Sequence, residues 1–226
     1  MYKKLKFKSL REEHKNILIP IKNLIPQWYK DGPTWANNKI EANNGAMKLC
    51  MPFLDSLIVG YTFVTLDDIL VEKDEVGNLN ISWKNSSNNL VNFRHPNAAH
   101  TLPIPAGHNP THCIWMTQGI IKLPKGYSAV IAHPFNRFDL PFTTLSGVVD
   151  DFPMYGGNIP FFIKEGFEGV IPQGTPFAQI VPFKRENWKL EESDKLIKES
   201  EISLKRSLSV LQGWYKHNVW KRKKYE

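Results

Sequence analysis

The hydrophobic positions of this chain occur mostly in short runs, and the clearest three lie between residues 119 and 183. Residues 127–132, 159–163 and 177–183 are rich in β-branched and aromatic side chains, and glycine, proline or asparagine bounds each run. Short apolar runs separated by frequent turn residues are typical of strands in an all-β domain. We therefore predict a mainly antiparallel β domain over residues 46–187.

Turn residues predict how these strands are connected. Pro124-Lys125-Gly126 and Pro172-Gln173-Gly174 each combine a proline, whose φ is fixed near −65°, with a glycine that tolerates positive φ. Both predict type II-like turns that lead into a strand. A polar stretch with residues 76–78 at its tip, followed by apolar alternation at Leu79 and Ile81, predicts a β-hairpin.

Residues 46–72 are the most apolar part of the chain, and within them residues 57–64 predict a buried strand or a pair of short strands. Asp55 interrupts this apolar stretch. It is expected either to cap a helix or turn, or to be a buried carboxylate with a raised pKa and a functional role.

The C-terminal part has a helical period. Ile197, Leu204, Leu208, Leu211 and Tyr215 recur at spacings that place one apolar stripe on a helix of about 25 residues. That stripe is expected to pack across the domain or against a partner subunit. The predicted organisation is an N-terminal arm with an aromatic loop (residues 1–45), the β domain (46–187), and a C-terminal helix with a basic tail (188–226).

The formal net charge of +7 is concentrated at the two ends of the chain. Residues 1–15 and 216–226 each carry +4, whereas the residues between them sum to −1. This distribution predicts two basic arms and no basic face on the domain, so we expect no nucleic-acid partner. The arms are expected to be solvated, or to contact phosphates, an acidic partner or a neighbouring subunit. No apolar run is long enough for a membrane span, and we expect no membrane association.

Four of the seven histidines, His95, His100, His108 and His112, fall within one Pro-rich segment. Their density suggests a metal site, because neutral imidazole is a good ligand for transition metals. Their spacing fits no common metal-binding motif, and no carboxylate lies between Phe93 and Trp115. We therefore expect loop histidines and no metal.

Four ordered blocks of residues 119–183 resemble the dUTPase and dCTP-deaminase superfamily, whose fold is the β-clip. The blocks read G-I-I-x-L-P-x-G-Y-x-A-x-I, S-G-V-V-D, Y-G-G-x-I and I-P-x-G-T-P-x-A-Q-I-V. The resemblance implies that Asp150 activates water or contacts a deoxyribose. It further implies that Tyr155 stacks beneath the sugar and that Gln179 holds phosphates or closes a trimer.

The chain departs from that family where the family grips phosphate. His133-Pro134-Phe135-Asn136-Arg137 stands in place of the Arg-Ser-Gly block, Pro176 replaces an arginine, and the Gly-rich C-terminal arm is missing. His133, Asn136 and Arg137 thereby become candidate ligand-binding residues. The whole chain also resembles a group of proteins encoded by tailed phages, on KLCMPFLDSLIVGYT, HPFNRFDLPF and PFKRENWK.

Two functions are compatible with this sequence. The first is a non-enzymatic, oligomeric β-clip protein of phage origin, expected as a trimer in the host cytoplasm or the virion, that captures a ligand or joins other phage particle proteins through residues 1–15 and 216–226. The second is a nucleotide hydrolase or deaminase in which Asp150 acts on water, with Mg²⁺ neutralising the triphosphate. The missing phosphate-binding blocks favour the first, which needs no cofactor.

Overall fold

The computed structural model of the chain describes residues 3–11, 15–41, 44–95, 97, 103–150, 154–155, 157–210 and 213–226. Strands and helices are labelled here in chain order. Within the described residues there are four α-helices: α1 (Gln27–Asp31), α2 (Met51–Ile58), α3 (Lys195–Leu208) and α4 (Trp214–Asn218). Short 3-10 helices span Ile21–Leu24, Ala36–Asn38 and Met47–Leu49.

The described strands form four antiparallel sheets. The first has the order β1 (Lys6–Ser9), β8 (Gly119–Lys122), β12 (Met154–Tyr155). The second has the order β10 (Phe142–Thr144), β13 (Asn158–Ile163), β7 (Cys113–Met116), β6 (Val91–Phe93). The third has the order β11 (Gly147–Val149), β9 (Tyr127–Ala132), β15 (Pro176–Lys184), β3 (Tyr61–Val64), β2 (Leu18–Pro20). The fourth has the order β14 (Gly169–Ile171), β4 (Ile69–Lys73), β5 (Leu79–Ser82). The predicted mainly β chain with a C-terminal helix is confirmed.

A column of aromatic rings joins the four-stranded sheet to the five-stranded sheet. Trp115 of β7 stacks on Phe161 of β13 with ring centroids 3.9 Å apart, and on Phe177 of β15 at 4.9 Å. Phe177 in turn stacks on Phe63 of β3 at 6.0 Å. All four residues are buried, so these rings form the centre of the hydrophobic core.

Both predicted turns are present. The Tyr127 N–H donates to the Pro124 carbonyl at 3.1 Å, and the Thr175 N–H donates to the Pro172 carbonyl at 3.2 Å. Gly126 and Gly174 have φ of +81° and +82°, as a type II turn requires at its third position. Each proline occupies the first position of the hydrogen-bonded turn and not the second, where its fixed φ would be used.

The prediction of strand structure throughout residues 57–64 is wrong in its first half. Helix α2 continues to Ile58, and Gly60 makes the turn into β3, which begins at Tyr61. Pro52 lies in the first turn of this helix, where its missing N–H costs nothing. Gly60 has a φ of +81°, and a Cβ at this position would lie 2.0 Å from the Ile180 carbonyl oxygen.

The N-terminal segment contributes two strands to the sheets. Strand β1 pairs with β8, with Lys6 opposite Lys122, and β2 pairs with β3. The β structure therefore begins at Lys6, whereas the sequence placed the start of the β domain near residue 46.

The predicted 25-residue helix is divided in two. Helix α3 ends at Leu208, and Gly213, with a φ of +85°, precedes α4. Leu211 of the predicted stripe lies outside the described residues. No described residue of α3 is buried, and Leu196, Ile197, Ile202, Leu204 and Leu208 are exposed. The described part of the stripe is therefore largely exposed. The described part of the chain contains no helix that is both long and apolar enough to cross a membrane.

The basic tail after α4 returns to the domain through Asp55. The carboxylate Oδ2 of Asp55 accepts a hydrogen bond from Trp220 Nε1 at 2.9 Å and forms an ion pair with Lys223 Nζ. Further along the tail, the Tyr61 hydroxyl donates to the Glu226 carbonyl at 3.2 Å, and the rings of Tyr61 and Tyr225 pack edge to face. Asp55 lies inside α2, so it is neither a helix cap nor a turn residue, and it anchors the tail.

We predict that Gly60→Ala destabilises the fold much more than Gly77→Ala. Both glycines have positive φ, so alanine costs about 1–2 kcal/mol at either site. Only at Gly60 does the added methyl group meet backbone, and overpacking adds about 1–3 kcal/mol, whereas nothing lies within 4 Å of a Cβ at Gly77. Urea denaturation followed by circular dichroism measures both losses. Equal losses would contradict the close approach of Gly60 to β15.

Candidate functional site

Asp150 directly follows β11 and lies at the surface. Its carboxylate Oδ1 accepts a hydrogen bond from the Ser128 hydroxyl at 2.7 Å and lies 3.4 Å from a guanidinium nitrogen of Arg185. The side chain is 60% exposed. Register explains the first contact, because Val149 pairs with Ala129 and places Asp150 beside Ser128. An exposed, partnered carboxylate resembles a surface ion pair more closely than a general base.

Tyr155 belongs to the short strand β12, whose residues pair with Ile120 and Ile121 of β8. Its side chain lies outside the described part of the structure, as do residues 151–153. The implied stacking of Tyr155 beneath a sugar therefore remains a prediction.

Gln179 is fully buried in β15, and its amide is engaged within the chain. Its Oε1 accepts from the Phe135 N–H at 2.8 Å, while its Nε2 donates to the carbonyls of Ser56 and Val59 at 3.0 and 2.7 Å. These bonds tie the end of α2 to the loop after β9. The structure therefore gives Gln179 an architectural role, and no part of the amide reaches a surface at which a ligand could bind.

His133, Asn136 and Arg137 also make contacts within the chain. His133 Nε2 lies 3.0 Å from the Arg137 carbonyl, and its Nδ1 lies 3.3 Å from the Thr144 N–H. Asn136, with a φ of +59°, donates to the Ser56 hydroxyl at 2.7 Å. Arg137 grips both oxygens of Asp139, at 2.9 and 2.8 Å. This arginine is therefore already neutralised by a carboxylate.

Within one chain, the structure does not bring these three residues to Asp150. Asp150 contacts Ser128 near the start of β9, and His133 follows the end of that strand, five positions further on. At about 3.3 Å per residue, Ser128 and His133 are about 16 Å apart along the strand. The candidate ligand-binding residues His133, Asn136 and Arg137 therefore lie apart from Asp150 within one chain, and their role in binding a ligand remains a prediction.

A cleft of about 470 Å³ lies between the four-stranded and five-stranded sheets, next to Asp150. Apolar side chains from both sheets form most of its wall, among them Ile131 and Val149 from one sheet and Ile159 from the other. Arg94 and His112 supply its charged and titratable groups. A mostly apolar cleft of this volume with a few convergent polar groups is typical of small-ligand sites.

His112 is the most informative residue of the cleft. It is 3% exposed, and its ring stacks on Phe162 with centroids 5.3 Å apart. Within the described residues, neither ring nitrogen has a hydrogen-bond partner. A buried imidazole without partners loses the hydrogen bonds it makes in water, so an arrangement of this kind calls for a partner that the described residues do not supply.

Burial lowers the pKa of His112, and the positive charge of Arg94 lowers it further. The imidazole is therefore neutral at pH 7, with one nitrogen that donates a hydrogen bond and one that accepts. Next to it, Arg94 offers a cation whose guanidinium geometry suits a carboxylate or phosphate. The two residues together fit a ligand with a hydrogen-bonding body and one anionic group.

Sequence reasoning placed His112 among the loop histidines and did not select it. The available signal was its position immediately before the apolar run of β7, which begins at Cys113. That its ring nitrogens lack hydrogen-bond partners can be seen only in the folded structure, after β6, β7 and β13 have paired. Of the other histidines, His108 contacts Thr143 Oγ1 at 2.9 Å, and His100 lies outside the described residues. Among the described residues, no three His, Cys, Asp or Glu side chains converge to hold a metal ion.

We predict that stability falls on acidification below about pH 6.5 and that His112→Phe reduces this dependence. Because the folded-state pKa of His112 is lowered, the unfolded chain binds a proton first as the pH falls, and folding loses stability until the folded pKa is passed. Burial lowers the pKa of His133 as well, so part of the dependence remains in the variant. Denaturation at pH 7.5 and 5.5 measures this, with the exposed His217→Gln as control. An unchanged slope in His112→Phe would contradict a depressed pKa.

A comparison with protein-family models finds no match, and neither does a comparison with curated proteins. Among solved structures, the chain is similar to dUTPases of staphylococcal phages. A variant of the dUTPase from phage phi11 of S. aureus, described with a structural Mg(II) ion, is 12% identical, with 84% of this chain and 97% of that chain covered and a TM-score of 0.35. A variant of the Staphylococcus bacteriophage 80alpha dUTPase with dUpNHpp is 12% identical, with 84% and 88% covered and a TM-score of 0.34. These proteins carry the name of the family that the four sequence blocks resemble, but at TM-scores of this size the superpositions carry no argument about activity.

Proposed function

We propose that this chain is a non-enzymatic, self-associating β protein of phage origin that captures a small ligand in the cleft of Arg94 and His112. The observation that carries the proposal is the buried His112 ring, whose two nitrogens have no partner among the described residues and which lines a cleft of about 470 Å³. A ligand that bonds to this ring would offset the cost of burying it.

The ligand class follows from the charges of the cleft. Arg94 is the one cationic side chain among the described residues that line it. One guanidinium matches a single phosphate or carboxylate better than a triphosphate, which carries several charges. The neighbouring apolar side chains provide contact area for a flat, weakly polar body. A deoxynucleoside monophosphate has both features, and the family resemblance of residues 119–183 supports a nucleotide.

The surroundings of Asp150 support capture over catalysis. Catalysis of phosphate hydrolysis needs a carboxylate that activates water, together with cations that stabilise the charge developing on the phosphates. Asp150 is exposed and paired with Ser128 and Arg185, and Arg137 is paired with Asp139. The alternative is a deoxynucleotide hydrolase or deaminase that uses Asp150, with Mg²⁺ bound to the substrate. It rests on the position of Asp150 directly after Val149, which lines the cleft.

Self-association is the second part of the proposal, and a second copy of the chain is the proposed partner of α3. The exposed residues Ile197, Leu204 and Leu208 follow one another at spacings of seven and four along this helix, which is typical of helices that pack on each other. A trimer is the expected assembly, in the host cytoplasm or in the virion. A role in joining other phage particle proteins would use residues 1–15 and 216–226.

We predict that dUMP binds to the wild-type protein, that His112→Phe weakens binding by about two- to tenfold, and that Arg94→Gln weakens it by about tenfold or more. One lost hydrogen bond costs about 0.5–1.5 kcal/mol, and a bond to a charged group costs about 1.5–3 kcal/mol. Isothermal titration calorimetry with dUMP, dUTP and dCTP measures the affinities. His95→Phe is the matched control, because His95 is exposed and does not line the cleft.

Asp150→Asn separates capture from catalysis in the same samples. Under the proposal, this variant binds dUMP as the wild-type protein does, and neither protein releases pyrophosphate from dUTP or ammonia from dCTP. Turnover by the wild-type protein that Asp150→Asn abolishes would establish the enzyme instead. Absence of binding for all three nucleotides would overturn the assignment of the ligand class.

We predict that Leu204→Glu/Leu208→Glu converts an oligomer into a monomer, because two charges cannot be buried in an apolar helix interface without a large cost. Light scattering coupled to size-exclusion chromatography measures the mass in solution. The control is Lys195→Gln/Arg206→Gln, which changes the net charge equally on the opposite face of α3. A monomeric wild-type protein, or equal masses in all three proteins, would contradict self-association through this helix.

A further inference from the structure

A single basic groove unites the two ends of the chain that the sequence treats as separate arms. Two adjoining cavities, of about 450 and 640 Å³, share Lys3, Lys4 and Lys6 in their walls. The smaller cavity adds lysines from the turn between β8 and β9, and the larger adds lysines from the tail. We name these two cavities together the basic groove.

Three segments that are distant in the sequence build this groove, and a specific contact places each one. Pairing of β1 with β8 sets Lys6 opposite Lys122. The tail arrives because Asp55 holds Trp220 and Lys223, and because Tyr61 bonds to the Glu226 carbonyl. The concentration of positive charge is therefore a consequence of the fold.

The lysines of the groove are largely unneutralised. Five exposed lysines have no ion pair in the described part of the chain: Lys4, Lys6, Lys122, Lys125 and Lys224. Lys3 lies over the ring of Tyr127, 5.9 Å from its centroid, and Lys223 pairs with Asp55. Glu226 is the acidic side chain that lines the groove among the described residues. Like charges held together in this way favour an anionic polymer that neutralises several of them at once.

Tyrosine rings accompany the lysines. Tyr61, Tyr127 and Tyr225 line the larger cavity, and each is partly exposed. A positively charged groove with interleaved aromatic rings is the arrangement that binds single-stranded nucleic acid, in which cations follow the phosphates and rings contact unpaired bases. An acidic polypeptide would pair with the lysines but has no unpaired bases to contact the tyrosine rings. A duplex keeps its bases stacked inside the helix, where the rings cannot reach them.

We infer that the basic groove binds single-stranded nucleic acid through its phosphate backbone. This activity is separate from ligand capture in the cleft, because the residues that line the groove and the residues that line the cleft do not overlap. The sequence predicted two independent basic arms and no nucleic-acid partner. That expectation considered where the charges lie along the chain, and not that the fold brings the two ends together.

The test measures binding of a fluorescein-labelled oligodeoxythymidylate by fluorescence anisotropy at increasing salt. Each phosphate neutralised on a single strand contributes about −0.7 to the slope of log K against log salt concentration, so the five unpaired lysines predict a slope of up to about −3.5. Lys122→Gln/Lys125→Gln should weaken binding and make the slope shallower by about 1.4. Lys122→Arg/Lys125→Arg should retain the slope.

Matched variants show whether the effect belongs to the groove. Lys195→Gln/Lys198→Gln removes two exposed lysines of α3 and should leave binding unchanged. Asp55→Ala should release the tail, expose residues 221–224 to trypsin, and weaken binding by loss of the tail lysines. His112→Phe should bind the oligonucleotide as the wild-type protein does, so failure of ligand capture and failure of this inference remain distinguishable.

Three results would overturn the inference. The first is a salt slope that Lys122→Gln/Lys125→Gln does not change. The second is equal competition by polyglutamate, which would identify the groove as a site for an acidic polypeptide. The third is tighter binding of a duplex of the same sequence, which would remove the role given to the tyrosines. Circular dichroism of each variant establishes that a loss of binding is not a loss of fold.

Discussion

The stacking of Trp115 between Phe161 and Phe177 is the contact on which the rest of the structure depends. It joins a four-stranded and a five-stranded sheet, with ring centroids 3.9 and 4.9 Å apart. Buried aromatic pairs contribute both apolar area and a preferred geometry, so they fix the separation and the relative orientation of the two sheets. The cleft opens between the same two sheets, with Ile131 and Val149 on one side and Ile159 on the other. Its shape is therefore set by the core and not by a flexible loop.

Polar side chains, one buried and one partly buried, fix the positions of several other segments. Gln179 joins α2 to the loop after β9 with three hydrogen bonds, and Asp55 of the same helix holds the tail through Trp220 and Lys223. Such groups are costly to bury unless paired, so each one fixes the segments around it strongly. Helix α2 thus connects the interior of the domain with the C-terminal end of the chain. Gln179, to which the family resemblance assigns a role in binding phosphates or closing a trimer, therefore spends all three of these hydrogen bonds within the chain.

Sequence reasoning was most reliable where local physics decides the outcome. The strand at residues 127–132, both Gly-containing turns and the hairpin beyond Lys73 follow from side-chain shape and glycine conformation, and all are present. Sequence-based prediction failed where tertiary contacts determine the secondary structure. Residues 57–64 have the composition of a strand, but α2 continues to Ile58, and Gly60, which lies against the Ile180 carbonyl, turns the chain into β3. The stripe of α3 predicted one long helix, but Gly213 adopts positive φ and divides it. For the site, the sequence indicated Asp150 and its neighbourhood, but Arg94, which follows β6, and His112, which precedes β7, lie far from Asp150 in the chain. Only the assembled sheets show that the ring nitrogens of His112 lack partners.

Strand β9 relates the two surfaces to which we assign binding. Tyr127 at its beginning lines the basic groove, whereas Ile131 near its end lines the cleft. Ser128 lies between them and holds Asp150, which Arg185 also contacts. The groove is charged and open, so its interactions weaken as salt screens them over about 8–10 Å. The cleft pairs an anionic ligand with the exposed Arg94, so salt weakens binding there as well, but the cleft also contains an imidazole whose pKa burial lowers. Binding in the cleft therefore depends on pH as well as on salt, and this pH dependence separates it from the groove, even though the two surfaces share a strand.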